Sequence, residues 1–351
     1  MSDRKAESAK PSCARVIRLA RVVPERELAV VASLAQRAGS AALVIAELTG
    51  NAASLGRFQR VGGSLATREV RRLSGGRSTR YGEGIVSLCA LAPEPQAWLD
   101  ESGALSGPRL LNRLVRGLLA GLSRLGLPAS YPGRDFVTAN GRRLAYVSLS
   151  REASGVLLFQ AVLGAGAPYT TEELEPSWPG LPAAPAPTSL TRERAPVPDF
   201  EAIASALAAG FADHFELALD AAPLSSDEER AFAAAAPPPL VDATLAELRS
   251  GGAIATPIGD LEAYVALDAG GRLACVRLCG DWIAAQRELV ALEALLVGEL
   301  PGSARVRELC GTWLANPDSL VVGLTGASAL ADAVARSARA YSSFGALSSS
   351  A

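Results

Sequence analysis

Apolar and polar positions recur along this chain with two different periods, and the switches between them lay out its elements. The run ERELAVVASLAQRAG, from Glu25, spaces apolar residues at helical intervals and is closed by a glycine, so an amphipathic helix is expected there. Gly84 to Leu91 (GIVSLCAL) is a short apolar run and reads as a strand. Leucines at 110, 111, 114, 118, 119, 122 and 125 give Leu110 to Leu127 helical spacing, and Pro128 to Pro132 end it. Asp135 to Thr138 and Arg142 to Ser150 read as strands joined at Asn140-Gly141, two residues that accept positive φ. Val156 to Leu163 reads as a buried strand.

The second half is punctuated by proline. Seven prolines between Pro176 and Pro198 predict an irregular loop. Asp199 to Leu219 reads as a helix, and Ser225 to Ala236 as a shorter one, with Ser225 and Glu228 spaced as a capping box. Pro237-Pro238-Pro239 breaks the chain. Then come a short helix (Asp242 to Arg249), a Gly251-Gly252 turn, strands at Leu261 to Leu267 and Arg272 to Leu278, and helices at Ala284 to Val297 and Gly323 to Tyr341. No internal repeat is visible. The expected division is a disordered tail over 1–24, a first domain over 25–236 and a smaller one over 240–345, in an α+β chain with a mixed sheet flanked by helices.

Composition narrows the function classes. The chain has 351 residues, 49% hydrophobic and 20% charged, as a globular protein does, and its net charge of −2 gives no pull toward nucleic acid or anionic membrane. No stretch approaches the roughly 20 apolar residues that span a bilayer, and the N-terminus MSDRKAESAKPS lacks the apolar core of a secretory signal, so a cytoplasmic protein is expected. The five cysteines (Cys13, Cys89, Cys275, Cys279, Cys310) include no CxxC pair and read as buried free thiols, with no metal site. His214 is the only histidine, and the only lysines are Lys5 and Lys10, both in the tail. A lysine-dependent mechanism therefore has no evident donor in the folded body.

Two segments carry a family resemblance. Leu55-Gly56-Arg57-Phe58-Gln59 fits a GRxQ segment, and Arg71-Arg72-Leu73-Ser74-Gly75-Gly76 fits six positions of RRxSGGG; in this order they resemble the lipoate–protein ligases. Gly133-Arg134-Asp135 and Gly141-Arg142-Arg143 resemble that family's hairpin, and Ser189 to Ala195 its mobile adenylate-covering loop. Thr256-Pro257-Ile258-Gly259 and Gly280-Asp281-Trp282 look like its small accessory domain. The resemblance runs from about residue 25 to 341 and implies a biotin/lipoate ligase-like sheet followed by that accessory domain.

The resemblance also implies chemistry. In that family ATP, with magnesium, activates lipoate or octanoate to an acyl-adenylate. The acyl group then passes to a lysine on the lipoyl domain of a 2-oxoacid dehydrogenase or glycine cleavage protein. Arg71, Arg72, Ser74, Gly75, Gly76, Arg77, Asp135 and Arg194 then stand at substrate or nucleotide positions, and Arg143 at that of the catalytic lysine. Glycines admit close backbone approach to an acyl tunnel, arginines balance phosphate, and a compact lysine sits where charge develops.

The sequence departs from this pattern where the chemistry is densest. The third loop glycine is Arg77, the histidine that follows is Tyr81, and the lysine is Arg143, whose planar fork is a poor substitute at a tight site. A glycine downstream aligns with Tyr146 or Ala145, and an HHG segment with Leu158-Phe159-Gln160. Three readings follow: an active ligase using arginines, a degenerate relative that binds an acyl group, a nucleotide or a lipoyl domain without catalysis, and an acyltransferase working through a cysteine. The residues favour the second. Bland alternatives stand beside each assignment: Arg71 and Arg72 as solvated turn residues, Gly75-Gly76 as a plain turn, Asp135 as a hairpin cap, and His214 as a half-buried packing residue. Asp281 is expected to shape a turn and Trp282 to pack. If Arg77 and Tyr146 fill the volume beside Arg72, Gly75 and Arg143, acyl binding there is lost as well.

Overall fold

A computed structural model describes residues 13–37, 39, 41–61, 68–99, 105–170, 183–235, 238, 245 and 248–348. The chain runs through β1 (Cys13–Val22), α1 (Pro24–Arg37), β2 (Ala41–Leu48), β3 (Ala53–Leu55), β4 (Glu69–Arg71), β5 (Thr79–Arg80) and β6 (Ile85–Ala92). After α2 (Pro95–Leu99) and α3 (Gly107–Arg124) come β7 (Ala129–Ser130), β8 (Phe136–Ala139), β9 (Arg142–Arg151) and β10 (Leu157–Gly164). Then follow α4 (Leu190–Glu193), α5 (Phe200–Phe215), β11 (Ala218–Asp220) and α6 (Ser226–Ala234). The last third holds β12 (Arg249–Ser250), β13 (Ile254–Thr256), β14 (Gly259–Leu267), β15 (Leu273–Gly280), α7 (Gln286–Leu296), α8 (Ala304–Ala315) and α9 (Ala327–Ser348).

The expected mixed sheet is present. Eight strands pair in the order β11-β1-β2-β6-β10-β9-β8-β7. β1 is parallel to both β11 and β2, and the other pairings are antiparallel. Alternation sends successive side chains to opposite faces. Leu157, Phe159, Ala161 and Leu163 of β10 join the core under α3 and α5, whereas Leu158 and Val162 join the core beside α1. Leu110, Leu111, Leu114, Leu118 and Leu122 are all buried along α3; at about 1.5–3 kcal/mol per buried leucine, that face fixes the helix. Asp199 caps α5 by accepting from Ala202 N–H, and the Ser225–Glu228 capping box opens α6.

A second, four-stranded sheet (β12, β14, β13 and β15) packs against α7, α8 and α9. Its buried residues meet the first sheet's surroundings. Ile258, Ile283, Leu320 and Val322 join the core that contains α3, and Phe58, from the loop after β3, joins the core built on Trp282.

Several expectations are corrected. The tail expected over 1–24 is corrected from residue 13 onward, since Cys13–Val22 is a strand inside the large sheet, with Arg15 ion-paired to Glu228 at 2.6 Å and Arg18 to Glu201 at 2.6 Å. Asp199's helix ends at Phe215, where Glu216 turns left-handed, and the last helix starts at Ala327. Of the helix expected over Asp242–Arg249, only Leu245, Leu248 and Arg249 are described, and Arg249 is in a strand; the boundary expected near residue 240 lies outside the described residues. Among the described residues, no helix is long and apolar enough to cross a membrane. The cysteines are all free, but only Cys89 and Cys310 are buried, and His214 is exposed, edge-on to the Phe215 ring.

Candidate functional site

The glycine loop, residues 71–77, lies on the α1 side of the large sheet, next to the small sheet of β3, β4 and β5. Arg71 and Arg72 face inward. Arg72 is fully buried, and its guanidinium donates to the carbonyls of Ser54 (2.8 Å), Gly75 (3.0 Å) and Arg77 (2.5 Å) and to Tyr146 Oη (3.1 Å). Its Nε donates to Ser74 Oγ at 3.2 Å, and the Tyr146 ring lies under its plane, 4.8 Å from the centroid. Arg71, 6% exposed, donates to the carbonyls of Arg57 (2.8 Å) and Gln59 (2.6 Å). Both residues hold loop backbone together. The solvated-turn alternative fails for each of them.

Gly75 and Gly76 are more than a plain turn. A Cβ on Gly76, where φ is 89°, would lie 1.9 Å from Tyr146 Oη, and one on Gly75 would lie 2.6 Å from Trp282 O. Tyr146, 1% exposed, donates its hydroxyl to Gly75 O at 2.7 Å, and Ser148 donates to the same carbonyl at 2.9 Å. Tyr146 thus occupies the space against the glycines. From the other side, Gly76 N–H donates to Trp282 O (2.9 Å), Phe58 stacks on Trp282 at 4.8 Å, and Gln59 Nε2 donates to Asp281 Oδ1 (2.6 Å). Asp281 Oδ2 accepts from Asp260 N–H, so this carboxylate shapes its turn, and Trp282 packs fully buried, as expected.

The substituted positions come together in one buried chain of hydrogen bonds. Ser74 Oγ donates to Gln160 Oε1 (2.6 Å), Gln160 Nε2 donates to Tyr81 Oη (3.2 Å), and Tyr81 Oη lies 2.7 Å from Glu27 Oε2. Ser87 Oγ is 2.9 Å from both Tyr81 Oη and Glu27 Oε1. Arg72, at the far end, joins through Ser74. Burial pushes the Glu27 carboxyl above the ordinary carboxylate range, against its hydrogen bonds to Tyr81 and Ser87. Burial, and then Glu27 beside them, drive the Tyr81 phenol and the Cys89 thiol well above their usual values. A raised Glu27 pKa gives stability that is complete below the ordinary carboxylate range and is lost as pH rises through the folded value. Glu27→Gln, which keeps the shape of the side chain but cannot ionise, is therefore expected to gain on the parent as pH rises from 5 to 9. Thermal melts across that range check this, and parallel profiles for the two proteins would contradict it.

Asp135, the other singled-out carboxylate, is fully buried. Its Oδ2 accepts from Arg77 Nε at 2.8 Å, and its Oδ1 has no hydrogen-bond partner among the described residues. Burial lowers the Arg77 pKa, but Asp135, Tyr169 and Tyr146 together outweigh it and hold it raised. Arg143, 4% exposed, donates Nε to Pro185 O at 2.6 Å, and burial lowers its pKa while neighbouring Tyr169 works the other way. Magnesium, which the resemblance implies, does not fit here. Asp135 offers one carboxylate already shared with a guanidinium, Arg77 and Arg134 add positive charge, and no group of three His, Cys, Asp or Glu forms a cation cage among the described residues. Arg194 closes the single turn of α4 and has no side-chain partner among the described residues.

Sequence reasoning missed Glu27, Ser54, Ser87 and Ser148, whose side chains are ordinary for a helix or strand and carry no local signal. It also missed a pocket of about 580 Å³ beside the β8–β9 hairpin, walled by Phe136, Pro185, Ile258 and Leu324.

No protein-family model and no curated protein matches this sequence. Solved structures do resemble the fold. LipL1 of P. falciparum, in complex with lipoate, has a TM-score of 0.56 at 11% identity, over 82% of this chain and 90% of that one. A bi-partite lipoate protein ligase from Thermoplasma acidophilum, studied with its E2 lipoyl domain, has a TM-score of 0.48 at 12% identity, over 64% of this chain and 91% of that one. A biotin protein ligase from Aquifex aeolicus has a TM-score of 0.36 at 12% identity, over 58% of this chain and 69% of that one. The expected fold class holds: this is a lipoate ligase-like α+β fold carried by a divergent sequence.

Proposed function

We propose that this protein keeps the lipoate ligase scaffold without acyl-adenylate chemistry and acts as a binding module for a lipoyl acceptor domain. One observation carries the first half: the Tyr146 hydroxyl lies 2.7 Å from Gly75 O, where a side chain on Gly76 would collide with it. An acyl tunnel against those glycines has no room while Tyr146 is there. The Arg72 donors are engaged by internal acceptors, which argues against a role in gripping phosphate. Arg143 offers a planar fork in place of the compact cation, and no lysine exists beyond Lys10 to replace it. The partner class rests on the resemblance in Arg71 to Gly76 and on the shared fold. ATP, and lipoate or octanoate, are on this reading substrates that the ancestral site used.

The cysteine-transfer reading gains no support. Cys89 is fully buried, and its thiol is pushed up, away from the reactive thiolate.

The test mixes the full chain with ATP, magnesium, lipoate or octanoate, and a lipoyl domain. No AMP and no mass increase on the acceptor are expected. A separate titration of the unmodified lipoyl domain is expected to saturate. Acylated acceptor would overturn the loss of chemistry, and absence of saturable binding would overturn the partner.

A further inference from the structure

A helix with solvent on one side carries polar residues on that side, and one that is apolar all round is normally covered. Helix α7 departs from this rule. It turns Leu289, Leu292 and Leu296 inward, into the core of the small sheet. Its one charged residue after Glu288, Glu293, also faces inward: it is 5% exposed, accepts from Leu278 N–H at 2.7 Å and pairs with Arg277 at 3.1 Å. The outward positions from there on are Val290, Ala291, Ala294 and Leu295, all exposed and all apolar. Val297 and Leu300 follow, exposed as well.

Val290, Leu295, Val297 and Leu300 are between 47% and 59% exposed, and they are half of the eight large hydrophobic residues exposed among the described residues. The neighbouring helices of the same layer behave differently. α8 exposes Arg305, Arg307 and Glu308, and α9 exposes Asp332, Arg336 and Arg339. Exposed large hydrophobics gathered in one place, and not scattered singly, mark an association surface.

The charges at the two ends of this strip point to its occupant. Arg287 is exposed just before it and Glu299 stands near its far end, each six residues from position 293. Neither forms an ion pair among the described residues. Arg272, near Glu299, donates to the Gly298 carbonyl at 2.9 Å and forms no ion pair with the Glu299 carboxylate among the described residues. Two α7 helices set antiparallel about a twofold axis place Arg287 of each copy at Glu299 of the other, and bury one apolar strip against its equal. A parallel pair would set like charge against like. The small Ala291 and Ala294 between Val290 and Leu295 allow the two helices a close approach.

We propose that this chain self-associates as a closed twofold dimer through the outer face of α7. The inference goes beyond the reading above and does not depend on it. A single helix face is at the small end of specific interfaces, so the dimer is a weak one, with a midpoint at about 10–100 μM.

The experiment is sedimentation velocity of the full chain from about 1 to 500 μM at low salt. A shift from monomer to dimer is expected, with no larger species, because an isologous contact closes on itself. Leu295→Glu, at an exposed position, is expected to weaken the dimer at least 30-fold, and circular dichroism melts show that it remains folded. Arg287→Glu is expected to weaken it about 10-fold, since two exposed attractive pairs become two repulsive ones. Adding Glu299→Arg to that variant is expected to restore the parent midpoint within about threefold. A monomer over the whole range would overturn the proposal, including the case in which Leu295→Glu loses a saturable lipoyl domain and the face serves that partner instead. Undiminished dimerisation of Leu295→Glu would overturn the location, and failure of the double charge exchange to restore the midpoint would overturn the antiparallel arrangement.

Discussion

Arg72→Ala is expected to lower the unfolding free energy by about 4 kcal/mol, the scale of removing one side of a buried charged interaction. The parent side chain is 0% exposed and donates to the carbonyls of Ser54, Gly75 and Arg77. Alanine leaves those acceptors facing a cavity, and each unsatisfied buried group costs about 1–3 kcal/mol. Gly75 O keeps Tyr146 and Ser148 as donors, so the loss falls mainly on Ser54 and Arg77. Arg72→Lys is expected to recover only part, because an ammonium cannot span acceptors arranged for a planar fork. Urea unfolding midpoints measure this. A free phosphate-binding arginine would behave in the opposite way, with ligand affinity falling and the midpoint staying in place. A loss below about 1 kcal/mol would return Arg72 to that role.

Gly56→Ala is the second large effect, at about 3 kcal/mol, the upper range for overpacking in a filled interior. A Cβ at Gly56 would lie 1.9 Å from Gly76 O, and that neighbour is backbone, so no side-chain rotation relieves the collision. Gly133→Ala is the control. It stands at φ 82° with nothing within 4 Å, so it carries only the left-handed conformational penalty of about 1–2 kcal/mol. The difference in denaturant midpoints isolates the close approach of the two loops. Equal losses in both variants would show that the loops can part.

How much of this was legible beforehand varied with the range of the interaction. The hairpin, α3, α5 and the capping box of α6 were readable because each depends on neighbours within a few positions. β1 was not. Its arginines at 15 and 18 resemble tail residues until Glu228 and Glu201, about 200 positions away, pair with them. The glycine loop was recognisable as a motif, and Tyr81, Tyr146 and Gln160 were noted as departures from it. That they interlock was hidden, since Gln160 reaches Tyr81 across 79 residues and Tyr146 reaches Gly75 across 71.

By itself the sequence settled the local periodicities, the order of the glycine and hairpin motifs, and a folded body without lysine. Only the tertiary structure decided which polar groups are satisfied. It gave Arg72 a full set of internal acceptors and placed Tyr146 against the glycines, yet left Arg134 Nε without a partner among the described residues. The reason is physical: helix and strand propensity act over a few residues, whereas the pairing of buried donors and acceptors depends on segments that only the completed fold brings together.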